Sequence, residues 1–170
     1  MENKKTLIVI DMQNDFITGS LGSKDAQAIV PIIAKKIKKQ QADGGEIIFT
    51  LDTHGENYLE TLEGKSLPVK HCIKGTHGHE LSTALGSGKA DLIEKSTFGN
   101  FKWNLSVKDG DELELCGLCT DICVVSNALI LRSKFPNSKI IVDSAACAGT
   151  SKEAHEAALT VMRSCQIEVI

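Results

Sequence analysis

The run Leu7-Ile8-Val9-Ile10 sets four large aliphatic side chains in a row and ends on a carboxylate, Asp11. Successive strand side chains point to opposite faces, so an unbroken apolar run needs cover on both. Segments of similar character recur at 45–51, 89–94, 112–117 and 138–143, with a short one at 166–170. Helical patterns lie between them. Ile29, Ile32, Ile33 and Ile37 fall at helical spacing within 26–42, opposite a lysine-rich side. Pro31 is expected in the first turn of that helix or at a kink. A second helix is expected over 120–133, capped by Thr120. A third is expected over 151–164, where Thr150-Ser151-Lys152-Glu153 matches a capping box. This alternation predicts an α/β fold, a parallel sheet covered on both faces with right-handed crossovers. Ligands of such sheets bind beyond the carboxyl ends of the strands. Asp11, Asp52, Lys95 and Cys123 are all expected at that edge.

Composition narrows the function. The 170 residues fit one domain, 1–170, with a real core. Nineteen basic and 22 acidic residues give a net charge of −3, which leaves no basic footprint for nucleic acid. The apolar runs are strand-length, far short of a membrane span. Met1-Glu2-Asn3-Lys4-Lys5 lacks the apolar core of a secretory leader, so a cytoplasmic protein is expected. The six cysteines are then expected as free thiols. Cys116 and Cys119 form a CxxC, but no second pair completes a zinc site. The stretch 52–88 is long, rich in Gly and His, and lacks a periodic helix, which marks a loop that is either functional or disordered.

The chemistry-bearing residues sit at the strand ends. Leu113 to Cys116 alternate, Gly117 turns the chain, and Cys123 falls about one turn into the helix that follows. The positive end of a helix dipole favours thiolate there, and backbone N–H groups at such a turn can face an oxyanion. Asp11 is the candidate base, with Asp15 as the alternative. Lys95 would hold the carboxylate and stabilise negative charge. Asp52-Thr53-His54 puts two ligand-type side chains on one side of an extended segment, and His71 adds a third. This set suits zinc, iron or manganese. Glu63 is a possible fourth ligand, with Glu56 and Glu60 in competition. His77 and His79 are left as loop polar groups, and His155 as structural. Only 4% of the chain is aromatic. Phe16 and Phe98, each a few residues beyond a chemistry-bearing side chain, are better placed than Trp103 to stack on a flat substrate.

Together these segments resemble the isochorismatase-like cysteine hydrolases, and most closely their nicotinamidase branch. The matching motifs are Leu7 to Phe16, Phe49 to His54, His71 to Thr76, Glu94 to Gly99 and Cys116 to Val124. The resemblance implies a three-layer α/β/α sandwich and an Asp-Lys-Cys triad at Asp11, Lys95 and Cys123. It implies a cis peptide between Leu118 and Cys119, an oxyanion hole from the N–H groups of Cys119 and Cys123, and Leu118 facing substrate beside Phe16 and Phe98. It also implies a divalent metal at Asp52, His54 and His71, with Glu63 where some members add a carboxylate. The segment 61–68 lacks the Trp or Phe that often walls the nicotinamide pocket in the family. Members that cleave the vinyl ether of isochorismate usually lack the nucleophilic Cys and the His pair, so their presence here argues for an amidase.

The expected activity is therefore conversion of nicotinamide and water to nicotinate and ammonia through a Cys thioester. The alternative is a related cysteine hydrolase acting on another small amide or a carbamoyl compound. A rival of another kind is a non-catalytic metal or thiol sensor. The expected partner is a small-molecule amide, without nucleic acid or membrane, and the resemblance implies self-association into a homo-oligomer.

Overall fold

A computed structural model describes residues 3–86 and 88–170. Six strands form one sheet: β1 (Lys5–Ile10), β2 (Glu46–Asp52), β3 (Asp91–Lys95), β4 (Glu112–Leu118), β5 (Lys139–Ala148) and β6 (Glu168–Val169). Their order is β3-β2-β1-β4-β5-β6, and every pairing is parallel. The helices are α1 (Asn14–Ile17), α2 (Lys24–Ala42), α3 (Leu62–Ser66), α4 (Val125–Lys134) and α5 (Lys152–Ser164). The strand order runs one way from β1 to β3 and the other way from β4 to β6. Right-handed crossovers then put α2 on one face and α4 and α5 on the other. In agreement, α4 and α5 pack on each other and on β5, while α2 packs on β1, β2, β4 and β5. The result is the expected α/β/α sandwich.

The central strands are as apolar and as buried as their composition demands. Ile8, Val9, Ile10, Leu115 and Val142 are sealed from solvent. From α2 the core receives Ala26, Ile29, Ile33 and Ile37, spaced by three and four residues; Ile32 lies off that stripe and is 39% exposed. From the other face come Ala128, Leu131, Leu159 and Met162.

Several sequence expectations are corrected at element ends. The α2 helix begins at Lys24, where the Ser23 hydroxyl accepts from Ala26 N, so Pro31 lies mid-helix rather than in the first turn. Ser151, not Thr150, caps α5. Thr150 bonds Asp121 instead, through both its N–H and its hydroxyl. Strand β5 outruns its expected end at 143, because a bulge absorbs the polar Asp143-Ser144 pair: Leu115 lies beside Val142, but Gly117 lies beside Cys147. Among the described residues, no helix is long and apolar enough to cross a membrane.

The sheet reverses order between β1 and β4, and the crevice at the carboxyl ends of such a pair is where open α/β sheets place ligands. Asp11 leaves β1 there, and Cys119 to Cys123 leave β4.

Candidate active site

Asp11 departs from β1 with φ 49°, a left-handed conformation uncommon outside glycine and concentrated at functional sites. Its buried carboxylate accepts from Lys95 Nζ at 2.6 Å and from the Thr50 hydroxyl at 2.6 Å. Lys95 ends β3 beside Asp52 at the end of β2, so strand register alone makes these two neighbours. Lys95 Nζ lies 3.5 Å from Asp52 Oδ1 and 3.5 Å from Cys123 Sγ. The structure thus gathers Asp11, Lys95 and Cys123 around one ammonium group. Asp15, the alternative base, is engaged elsewhere: its carboxylate accepts from Cys72 N at 2.8 Å and so supports the loop that follows His71.

The thiol sits on an unusual turn. Gly117, at φ 121°, lets β4 approach β1 closely; a Cβ there would lie 2.1 Å from the Ile10 carbonyl oxygen. The Leu118–Cys119 peptide is cis. Thr120–Val124 then form a single π-helical turn that runs into α4. Cys119 O accepts from both Ile122 N (3.1 Å) and Val124 N (3.0 Å), which fixes the turn. Thr120 does not cap the helix as expected. Its hydroxyl meets His155 Nδ1 at 2.8 Å, which gives His155 its structural role.

The expectation that the helix end favours thiolate is also corrected. Burial, and after it the charge of Asp11, push the Cys123 pKa well above the ordinary value, against the pull of Lys95. Burial likewise raises the Asp11 pKa, and Lys95 opposes it. For Lys95 burial disfavours the charge, yet Asp11, Cys123 and Asp52 outweigh it and its pKa is raised. Burial thus works against charge on both the thiol and the carboxyl, and Lys95 is the group that opposes it at each.

A second cluster adjoins the first. One donor atom each from Asp52, His54, Glu63 and His71 lie within 4.8 Å of one another. His54 Nε2 stands 2.9 Å from Asp52 Oδ2 and 3.6 Å from Glu63 Oε1. His71 Nε2 stands 3.5 Å and 3.9 Å from the same two atoms. The His71 Nδ1 donates to Val69 O at 2.8 Å, the kind of outer contact that aims the other ring nitrogen of a metal-binding histidine. Burial works against the Asp52 charge, but His54, His71 and Lys95 outweigh it and hold the carboxyl well below its usual range. Two imidazoles and two carboxylates, convergent and largely buried, fit a divalent cation of the zinc, iron or manganese kind. Helix α3 supplies Glu63 from its first turn, started by a Thr61 cap. His77 and His79 stay outside: the first faces Glu80 and the second the Thr53 hydroxyl. All six cysteines are free, and neither Cys116 nor Cys119 joins the cluster.

Both clusters open on one cavity of about 360 Å³. Cys119, Cys123, Asp52, Glu63 and His71 line it, and so do Phe16, Phe98 and Leu118. The Phe16 ring centroid is 5.5 Å from that of His71. Trp103, by contrast, is core.

The isochorismatase domain model matches residues 5–170. The chain belongs to the isochorismatase family. A nicotinamidase/pyrazinamidase of Mycobacterium tuberculosis is 26% identical over 186 residues, covering 98% of each chain. Among solved structures, a pyrazinamidase/nicotinamidase from Streptococcus mutans superposes with a TM-score of 0.84 at 31% identity, over 98% of this chain and 100% of the other. A pyrazinamidase of Pyrococcus horikoshii, solved in complex with zinc, gives a TM-score of 0.84 at 28% identity over 98% of each chain.

This isochorismatase-family site contains residues that sequence patterns did not single out. Thr50 holds Asp11 from both sides, donating to the carboxylate and accepting from Asp11 N at 3.2 Å. Gln13 clamps Asp52 by its backbone, accepting from its N–H at 2.7 Å and donating to its carbonyl at 2.8 Å. Tyr58 is fully buried against the rings of His54 (4.7 Å) and His71 (4.9 Å). Leu21, Leu67 and Ile122 add apolar wall to the cavity. The signal available was a polar residue inside an apolar strand, Thr50, and a polar run continuing past Asp11, Gln13.

Proposed function

We propose that this hydrolase converts nicotinamide and water to nicotinate and ammonia. The observation that carries the reading is the shared cavity: the thiol and the metal-type cluster face one space walled by Phe16, Leu21, Leu67, Phe98, Leu118 and Ile122. Among the described residues lining it there is no Lys or Arg. An uncharged aromatic amide suits such walls, whereas a carboxylate-bearing carbamoyl compound would find no lysine or arginine there to pair with its carboxylate.

Asp11 takes the Cys123 proton as the sulfur attacks the amide carbon. Backbone N–H groups of Cys119 and Cys123 receive the oxyanion. Asp11 then delivers the proton to the leaving nitrogen, the C–N bond breaks, and ammonia departs from the thioester. Asp11 next takes a proton from water, whose oxygen attacks the thioester carbon. The C–S bond breaks, Cys123 regains the proton, and nicotinate leaves. Lys95 stays charged throughout and holds the Asp11 carboxylate in line. Asp52, His54, Glu63 and His71 would hold a divalent ion, which when bound supplies a Lewis-acid contact for the ring nitrogen and so orients the ring. Phe16 and Phe98 flank that ring.

The test is ammonia release from nicotinamide by the purified protein, before and after chelation and with zinc, iron or manganese restored. Release that falls on chelation and returns with metal is expected. No release under any metal, from protein whose Cys123 still alkylates, would discard nicotinamide as the substrate.

A further inference from the structure

Asn127 lies on α4, four residues beyond Cys123, and is wholly sealed from solvent. Its amide is saturated. Oδ1 accepts from Asn100 N at 2.8 Å and from Trp103 Nε1 at 3.1 Å. Nδ2 donates to Cys123 O at 2.8 Å and to Phe98 O at 3.1 Å. An amide has two donors and two acceptor sites, and all four are used here. The donors reach the backbone of the thiol-bearing turn and the backbone of a residue whose ring lines the cavity. The acceptor secures the rest of the segment 98–103 against α4. That segment lies so close that a Cβ on Gly99 would stand 2.5 Å from Ile130 Cδ1. Lys134 ties down its far end through Trp103 O.

We propose that Asn127 is a positioning residue that couples the 98–103 strap to the nucleophile turn, fixing the ring-binding wall relative to the attacking sulfur. Each donor serves a different part of the reaction. The bond to Cys123 O governs the sulfur, and the bond to Phe98 O governs the wall. Displacing reacting groups by about 1 Å can cost on the order of a hundredfold in rate, so the coupling acts on turnover without touching substrate. The turnover arm of the test rests on the amidase reading, while the thiol arm does not.

Two variants separate the limbs. Asn127→Ala removes all four bonds. Asn127→Ser removes those to the strap, but its hydroxyl can still donate to the carbonyl four residues earlier, that of Cys123. The readouts are the rate of Cys123 alkylation by iodoacetamide, kcat and KM for nicotinamide, and the fluorescence of Trp103, the single tryptophan of the chain. Asn127→Ala is expected to slow alkylation and kcat by about tenfold or more and to raise KM severalfold. Asn127→Ser is expected to recover most of the alkylation rate and kcat while KM stays high and Trp103 emission stays shifted. A merely structural residue would lower the melting temperature and leave that split absent. A folded Asn127→Ala with unchanged alkylation and KM overturns the proposal, and so does Asn127→Ser behaving like Asn127→Ala in both. If Asn127→Ala fails to fold, Asn127→Ser decides alone, and a wild-type KM overturns the coupling. If the wild type does not hydrolyse nicotinamide, the substrate reading fails and the alkylation rates still decide on Asn127.

Discussion

Thr50→Val is the cleanest perturbation of the base. Valine keeps the shape and the β-branched preference for a strand, so β2 has no reason to shift. What disappears is the hydroxyl that donates to Asp11 Oδ1 at 2.6 Å and accepts from Asp11 N at 3.2 Å. Asp11 N keeps its backbone contact to Thr50 O at 3.3 Å, and the carboxylate keeps Lys95 at 2.6 Å. A hydrogen bond to a charged group is worth about 1.5–3 kcal/mol. At roughly 1.4 kcal/mol per factor of ten, its loss lowers kcat/KM by about ten- to a hundredfold if the transition state feels all of it. The pH profile carries a second signature. The Thr50 bond favours the ionised carboxyl and so holds the Asp11 pKa down against burial. Removing it raises that pKa, and because the base is the ionised form, the acid limb of kcat/KM moves to higher pH. The assay is ammonia release from nicotinamide between pH 4 and 9, wild type against variant. A variant with lowered kcat/KM but an unmoved acid limb would refute the assignment of that limb to Asp11. A variant at the wild-type rate would refute the role of Thr50 altogether.

Three further outcomes follow from the same geometry. Cys123→Ala should abolish turnover and leave the melting curve intact, since it removes one atom from a site already lined by cavity; retained turnover would sink the thioester route. Glu63→Gln should weaken metal retention by at least about tenfold, read by chelator competition and metal content, because the outer contacts of a metal ligand alone are worth that much; unchanged retention would remove Glu63 from the ligand set. Glu114 is buried on β4 and paired with Lys5 at 2.6 Å and with Lys36, which outweigh burial and lower its pKa from the ordinary 4.5. Glu114→Gln should therefore cost about 2 kcal/mol near neutral pH. A depressed carboxyl pKa stabilises the fold above the ordinary value, and that stability is lost as pH falls through the folded one. The difference between the two melting curves should accordingly close on acidification below about pH 4.5; a pH-independent difference would show that packing, not charge, was lost.

The strands were legible because burial on both faces leaves an unmistakable aliphatic run. The Asp11, Lys95 and Cys123 positions were legible because each is a reactive side chain where such a run stops. Asp52 and His54 carried their own two-residue spacing. What escaped depends on partners far away in the chain. Thr50 meets Asp11 across 39 residues, and Asn127 meets Phe98 across 29. No local pattern encodes those distances. Asn127 left a weaker trace, a polar residue directly before the apolar run Ala128-Leu129-Ile130-Leu131 of α4. The helix ends were misjudged for a related reason: Thr120 and Thr150 look like caps locally, but His155 and Asp121 claim their hydroxyls.

The largest of these misjudgements bears on how the thiol acts. A helix N-terminus contributes on the order of 1 kcal/mol to a charge, and somewhat more when partly buried. Sealing a thiolate from water costs several kcal/mol, more than the dipole returns. Here a carboxylate also stands at the same ammonium group, 2.6 Å away against 3.5 Å for the sulfur, so Asp11 takes the larger share of the Lys95 charge. The lower-energy arrangement leaves the charge on Asp11 and the proton on Cys123. Proton transfer then belongs to the attack itself, at the moment when charge moves to the carbonyl oxygen. Placement of the sulfur therefore matters more than its resting ionisation. On that account alkylation of Cys123 should follow the ionisation of Asp11 rather than of a free thiol, with its rate rising from acid pH and levelling below the pH range in which ordinary thiols ionise. A rate that instead tracked an ordinary thiol titration would show a pre-formed thiolate and return the advantage to the helix dipole.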